Sequence, residues 1–329
     1  QRADLVEKTA AEYQVLRDRR KGGSKRQPPV SLQQARANRL QIEWDATGPE
    51  RPHQPGLHVL DDYPIAELIE LIDWTPFFQT WELAGRYPDI LQDPVVGEAA
   101  SSLYADAREM LDRIVAENWL QACAVFGLYP AAAEGDDVVL FADEQRSETL
   151  VTLNFLRQQR AKAEGRPNRC LADYVASQDS GLEDYVGLFA VTAGLGIQDK
   201  LDEFEAAHDD YRSILLKALA DRLAEAFAER LHQRVRTEFW GYAPDETLAT
   251  EDLIRERYRG IRPAPGYPAC PDHSEKTTLF QLLDAEKALG MALTESFAML
   301  PAASVSGLYF AHPEARYFNV GKIDHDQIA

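Results

Sequence analysis

Val186-Gly-Leu-Phe-Ala-Val-Thr-Ala-Gly-Leu-Gly-Ile-Gln-Asp199 is an apolar run that ends on closely spaced glycines. Its first half, Val186–Thr192, is rich in β-branched and aromatic residues and reads as a strand. Its second half is the one place where a dinucleotide-binding turn could stand. Gly194-x-Gly196 supplies two of the required glycines, but Asp199 occupies the third position. A carboxylate there would repel a pyrophosphate at the start of the following helix, so a plain turn is the better reading. Further strands are expected at Cys123–Tyr129, Val138–Phe141 and Leu150–Phe155, and again at Val305–Phe310 and Tyr317–Ile323. Ser31 can cap a short helix, and Ile65–Ile72, Val95–Trp119, Leu201–Phe239 and Thr277–Leu289 read as helical. At Asp73-Trp-Thr-Pro, Thr75 can cap a further helix with Pro76 in its first position. Strands that cluster rather than alternate with helices point to an α+β fold, not a doubly wound sheet.

The chain has 329 residues, 45% of them apolar, with 35 Lys/Arg against 54 Asp/Glu for a net charge of −19. A strongly acidic chain is a poor general binder of nucleic acid, because such affinity comes from neutralising phosphates. No apolar run reaches the length of a membrane span, and the first 30 residues are too charged for a signal peptide. Three widely spaced cysteines, Cys123, Cys170 and Cys270, suit a reducing, cytoplasmic setting with free thiols. Residues 1–36 carry nine Lys/Arg against four acids. With Gly22-Gly23-Ser24 and Pro28-Pro29 in their midst, they read as a short helix followed by a linker. The chain begins with Gln and ends on Asp324-His-Asp-Gln-Ile-Ala, where a helix is starting. Both ends read as cut from something longer.

Few motifs carry chemistry by themselves. Cys270-x-x-His273 has metal-ligand spacing but no second close pair, so no metal is expected. Arg262-Pro-Ala-Pro-Gly-Tyr-Pro-Ala-Cys-Pro271 has four prolines in ten residues. It reads as a stiff extended loop without ladder partners. Such a loop can read a flat heterocycle through its backbone, with Gly266 allowing close approach and Tyr267 offering a ring. Arg262 can clamp a carboxylate there, or equally form a structural salt bridge. On the long helix, Asp221 and Glu225 share a face that is off the apolar stripe of Leu216, Leu219, Leu223, Phe227 and Leu231. Spacing alone would make Glu225 a solvated residue and Asp73 an exposed one at a helix junction.

Several blocks go further. Ile72-Asp-Trp-Thr-Pro-Phe-Phe, Thr80-Trp-Glu-Leu-Ala-Gly-Arg-Tyr-Pro, Leu219-Ala-Asp-Arg-Leu-Ala-Glu-Ala-Phe-Ala-Glu, Gly260-Ile-Arg-Pro-Ala-Pro-Gly-Tyr-Pro-Ala-Cys-Pro and Thr294-Glu-Ser-Phe-Ala-Met closely resemble the C-terminal activation domain of cobalamin-dependent methionine synthases. The resemblance runs in order from about Pro28 to the end. It implies residues 1–29 as a linker from a cobalamin-binding domain and residues 30–329 as one C-shaped α+β domain with a bent antiparallel sheet, truncated at its C-terminus. It further implies a shallow groove for S-adenosylmethionine. By the family motif, Arg262 holds the methionyl carboxylate. Glu225 and Asp73 contact the cationic amino-acid part or the ribose, and Ala264, Gly266 and Tyr267 surround the nucleoside. Tyr317 and Phe318 match a nearby aromatic pair. Two positions depart from the family pattern: Phe318 lacks a hydroxyl, and Arg86 replaces a lysine.

The function so implied is reactivation within a methyltransferase. A methyl group from S-adenosylmethionine would reach cob(I)alamin after one-electron reduction of inactive cob(II)alamin by flavodoxin or a flavoprotein reductase. The sulfonium leaves readily and needs no general base, so the expected contribution is orientation, with no catalytic residue. A monomer is expected that binds but does not turn over, since the cobalamin would sit on another domain of the same enzyme. The alternative is an acidic protein-interaction module of the same fold that does not bind S-adenosylmethionine.

Overall fold

The structure, a computed structural model, describes residues 13–14, 29–44 and 48–328. Apart from Tyr13 and Gln14, which are helical, the expected N-terminal helix lies outside those residues, as does nearly all of the expected linker. Gln121–Glu134 (β2) and Asp184–Leu195 (β5) form the spine of an antiparallel sheet, paired from Gln121↔Leu195 to Ala131↔Asp184. Ser304–Tyr309 (β8) lies outside β5. Along its other edge β2 has two neighbours in succession. Gly56–Tyr63 (β1) pairs its first half, and Asp137–Phe141 (β3), followed outward by Thr149–Leu153 (β4), pairs its last residues. Pro130, which has no N–H to donate, sits where the partner changes. The sheet is open and antiparallel, as an α+β fold requires.

Side chains along β2 alternate between two cores. Ala122, Ala124, Phe126 and Leu128 face one, while Cys123, Val125, Ala131 and Ala133 face the other. The first core is closed by the helices Ile65–Ile69 (α2), Trp74–Thr80 (α3), Gly97–Glu117 (α4) and Asp210–Arg234 (α6). The second is closed by Glu275–Leu283 (α8), Ala285–Leu289 (α9) and the segment around Cys170–Val175. Covered on both faces, β5 reads as a continuous apolar run, as a central strand must. Three further helices among the described residues are Leu32–Ala37 (α1), capped by Ser31 as expected, Ile197–Ala206 (α5) and Thr250–Ile254 (α7). A small separate ribbon pairs Ala292–Leu293 (β6) with Met299–Leu300 (β7).

Five local expectations are corrected. The helix expected over Leu201–Phe239 is broken at residues 207–209, where His208 has φ 56° and Asp209 caps α6 by accepting from Arg212 N–H at 3.0 Å. Its far end, Val235–Phe239, widens into a π-helical turn. Thr277–Leu289 is likewise divided, because Asp284 adopts φ 49°. The cap of α3 is Asp73 rather than Thr75, with its carboxylate accepting from Thr75 N–H at 3.0 Å; Pro76 therefore falls in the third helical position. Tyr317–Ile323 is extended but unpaired as a strand, tied down by Val320 N–H to Pro268 O at 2.9 Å. Finally, β1 has no counterpart in the sequence reading. Its Leu57 and Val59 are exposed, so its alternation runs against a simple apolar-in pattern.

Candidate functional site

The proline loop is not free of the sheet. Ile261 and Phe310 exchange both backbone hydrogen bonds at 3.0 Å, and Leu308 N–H donates to Pro263 O at 2.9 Å. The expected absence of ladder partners is therefore corrected at its first residues. With Ile261 and Pro263 facing β8, the intervening Arg262 N–H points the other way and donates to the Tyr317 hydroxyl at 3.0 Å. Beyond it the chain folds on itself. Tyr267 N–H donates to Ala264 O at 3.1 Å, and Gly266 N–H to Cys270 O at 2.7 Å. Gly266 has φ 96°, a conformation that favours glycine, and a Cβ there would also have to displace the His273 ring. The Ala264 N–H has no hydrogen-bond partner among the described residues. Tyr267 is 62% exposed, an aromatic face held on a rigid turn.

Helix α6 supplies the other wall. Asp221, Glu225 and Glu229 recur every four residues and share a face, continued by His232. Glu225 is exposed, whereas Glu229 and His232 are buried where the helix enters the core. Arg262 meets this face one turn from Glu225. Its Nη2 lies 2.8 Å from the Glu229 carboxylate, and its Nη1 donates to the Tyr258 hydroxyl at 2.9 Å and to His232 Nδ1 at 3.3 Å. A guanidinium has only donors, so Nδ1 must be the acceptor. The His232 proton is therefore on Nε2, facing the Tyr242 hydroxyl at 3.4 Å. Burial, together with the Arg236 and Arg262 charges, holds the His232 pKa well below its usual range. Burial also opposes the charge on Arg262, but Glu229 prevails and the pKa rises above the ordinary value. The His232 ring stacks on Tyr309 at 5.0 Å between centroids and meets Tyr258 edge-on at 4.8 Å.

The site residues expected from the sequence are thus brought together unevenly. Arg262, Ala264, Gly266, Tyr267 and Tyr317 share one loop and its brace, and Glu225 lies one helical turn from the Arg262 partner. Asp73 caps α3, which packs on α6, and no ion pair among the described residues joins it to Arg262. Phe318 packs against the second core, its ring 6.5 Å from that of Tyr174. Glu229, His232 and Tyr258 escaped the sequence reading. The four-residue step from Glu225 to Glu229 was the available signal, but Glu229 looks in sequence like one more surface acid. Arg262 has its structural salt bridge after all, and still keeps donors to spare.

The Cys270 and His273 pair is separated chemically. Burial pushes the Cys270 thiol up to about 12, with Glu275 and Asp272 adding to the effect. His273 Nδ1 faces the Lys276 ammonium at 3.1 Å. Among the described residues no group of three or more His, Cys, Asp or Glu side chains is placed to hold a metal. No helix among them is long and apolar enough to cross a membrane. The assembled groups suit recognition: a guanidinium for an anion, a carboxylate for a cation, an unpaired amide and an exposed ring.

Residues 64–329 match the family described as vitamin B12 dependent methionine synthase, activation domain. A solved structure, the crystal structure of the MetH reactivation domain bound to AdoHcy, superposes with a TM-score of 0.89 at 54% sequence identity. The match covers 92% of each chain.

Proposed function

This chain belongs to the activation-domain family of vitamin B12 dependent methionine synthases, and from that premise we propose that it binds S-adenosylmethionine and presents the methyl group for reactivation of the parent enzyme's cobalamin. The observation that carries the reading is the juxtaposition of Arg262, with unengaged donors, and the Ala264–Tyr267 turn. A similar domain with 54% identity was crystallised with AdoHcy, the same molecule without its transferable methyl.

The assignments follow from charge and shape. Arg262 takes the carboxylate of the amino-acid moiety through charge-assisted hydrogen bonds. Glu225, exposed one turn from Glu229, stands near the ammonium or sulfonium, and Asp73 contributes to the ribose or the amino-acid end. The Ala264 N–H and the Gly266 carbonyl meet the adenine edge, while Tyr267 packs on the nucleoside. Tyr317 braces Arg262 from behind the loop, with Phe318 supporting that segment from the second core. When bound on another domain of the parent enzyme, the cobalamin would supply the nucleophile that accepts the methyl group, its reducing electron coming from flavodoxin or a flavoprotein reductase. This chain fixes the sulfonium in line, and orientation alone suffices because the leaving group needs no proton. His232, with both ring nitrogens engaged and its pKa depressed, has no acid–base part in the step.

Calorimetric titration of the chain with S-adenosylmethionine tests the binding. Saturable one-to-one binding, competed by S-adenosylhomocysteine, is expected; absence of heat and of competition overturns it. Turnover is expected only when a cobalamin-binding fragment and a reductant are added in trans. Homocysteine methylation by this chain alone would show the assignment to be wrong.

A further inference from the structure

Behind Arg262 runs a line of buried charges of alternating sign. Glu246 forks onto Arg236 with contacts of 2.6–3.0 Å, and the Arg236 side chain is completely buried. Arg236 Nη1 comes within 3.9 Å of Glu229 Oε1, while Glu229 Oε2 holds Arg262 at 2.8 Å. Arg236 also lies over the Tyr258 ring at 4.3 Å from its centroid, and that same tyrosine accepts from Arg262. Arg236 itself lies in the π-helical turn, seven residues beyond Glu229 along the same helical stretch. Of the four charged groups in the line, the Arg262 side chain is the most exposed, at 19%.

Resting on the functional reading above, we infer that Glu229 is a positioning residue for ligand recognition: through Glu229 the Arg236–Glu246 pair fixes the Arg262 guanidinium so that its remaining donors meet the ligand carboxylate. Arg262 has five N–H groups. Glu229 takes one on Nη2, and Tyr258 and His232 take the two on Nη1. What is left is Nε–H and one N–H of Nη2, two donors on adjacent nitrogens, enough for one carboxylate. Arg236 offsets the repulsion that Glu229 would otherwise exert on that incoming negative charge. Glu229 does not touch the ligand in this arrangement; it acts through the arginine.

A structural role and a positioning role separate when the ligand is varied. The probes are S-adenosylmethionine and its decarboxylated analogue, each titrated into wild type, Glu229→Gln, Glu229→Asp, Arg262→Ala and the double variant Glu229→Gln/Arg262→Ala. Glu229→Gln should weaken S-adenosylmethionine on the order of tenfold and leave the decarboxylated ligand within about twofold. In the double variant the loss should be no greater than in Arg262→Ala alone. If Glu229→Gln proves too unstable to titrate, Glu229→Asp keeps the charge but shortens its reach, and the same ligand selectivity is expected of it. Equal weakening of both ligands, or unchanged affinity for both, overturns the inference. Wild type that binds neither ligand overturns the functional reading itself, a separate outcome.

Discussion

Two arginines in this molecule, one buried and one half-buried, end up in opposite situations. Arg157 is wholly enclosed. Asp173 takes its guanidinium with two contacts of 2.7 and 2.9 Å, Asp136 takes Nε at 2.7 Å, and the Asn168 carbonyl accepts at 2.7 Å. Arg262 has one carboxylate, one phenol and one imidazole, and its side chain keeps 19% exposure. The first arginine pins together β3, the strand of Asp137–Phe141, and the segment around Asp173. The second is tied to Glu229, Tyr258 and His232 and left partly open to solvent. A guanidinium fully enclosed with four of its five donors engaged is part of the structure; one that keeps exposure and donors in reserve can serve a ligand.

The sharpest way to break this contrast is to remove Arg157. Arg157→Ala leaves Asp136 and Asp173 buried without their main counter-charge, which should cost about 3–5 kcal/mol of stability. Chemical denaturation measures it, and ligand affinity in the remaining folded protein should be unchanged. An Arg157→Ala variant as stable as wild type would show that the closed network is not structural.

Arg262→Ala should do the reverse. Loss of its charge-assisted pair is expected to weaken S-adenosylmethionine by about 2–4 kcal/mol, roughly 30- to 1000-fold. The melting temperature should fall less than in Arg157→Ala, because Glu229 keeps Arg236 nearby. Arg262→Lys should restore only part of the affinity, lacking the planar fork. A well-folded Ala variant with an unaltered dissociation constant takes Arg262 out of the site, and most of the residue assignment with it.

The partners also differ in how they titrate. His232 is neutral in the folded protein because burial and two neighbouring arginines depress its pKa. The unfolded chain takes up that proton as pH falls through about 6.5, so this contribution to stability is present above that value and is lost below it. The limiting slope is about 1.4 kcal/mol per pH unit for one proton. His232→Gln, which retains an acceptor, should remove this component from a stability series between pH 7 and 5. An identical slope in the variant would place the proton uptake elsewhere. The smallest effect is expected of Tyr317→Phe. It deletes the acceptor of the Arg262 N–H, and about 0.5–1.5 kcal/mol of loop stability should go with it. Faster exchange of the Arg262 amide, seen by hydrogen exchange, is the readout, and an unchanged rate argues that the loop is held by β8 alone.

What the sequence by itself determined is the part ruled by local chemistry. Asp199 in place of a glycine set aside a nucleotide-binding turn, and clustered β-branched runs pointed to the strands of an α+β fold. The proline loop with Arg262 stood out because four missing N–H groups in ten residues leave few alternatives. Helix interruptions at His208 and Asp284 were not legible, since each depends on one residue adopting positive φ against a pattern that otherwise continues. Strand β1 was hidden for a related reason: its exposed Leu57 and Val59 are apolar, and only pairing with β2 reveals it. Glu229 and Arg157 were decided by tertiary structure alone. In sequence Glu229 is one of several acids on a helix, and Arg157 one of many basic residues. Which carboxylate is desolvated, and which guanidinium is closed off or left open, depends on groups 33 residues apart for Glu229 and Arg262 and 21 apart for Asp136 and Arg157. Burial turns a solvated charge into one that must find a partner, and only the folded chain decides which charges are buried together.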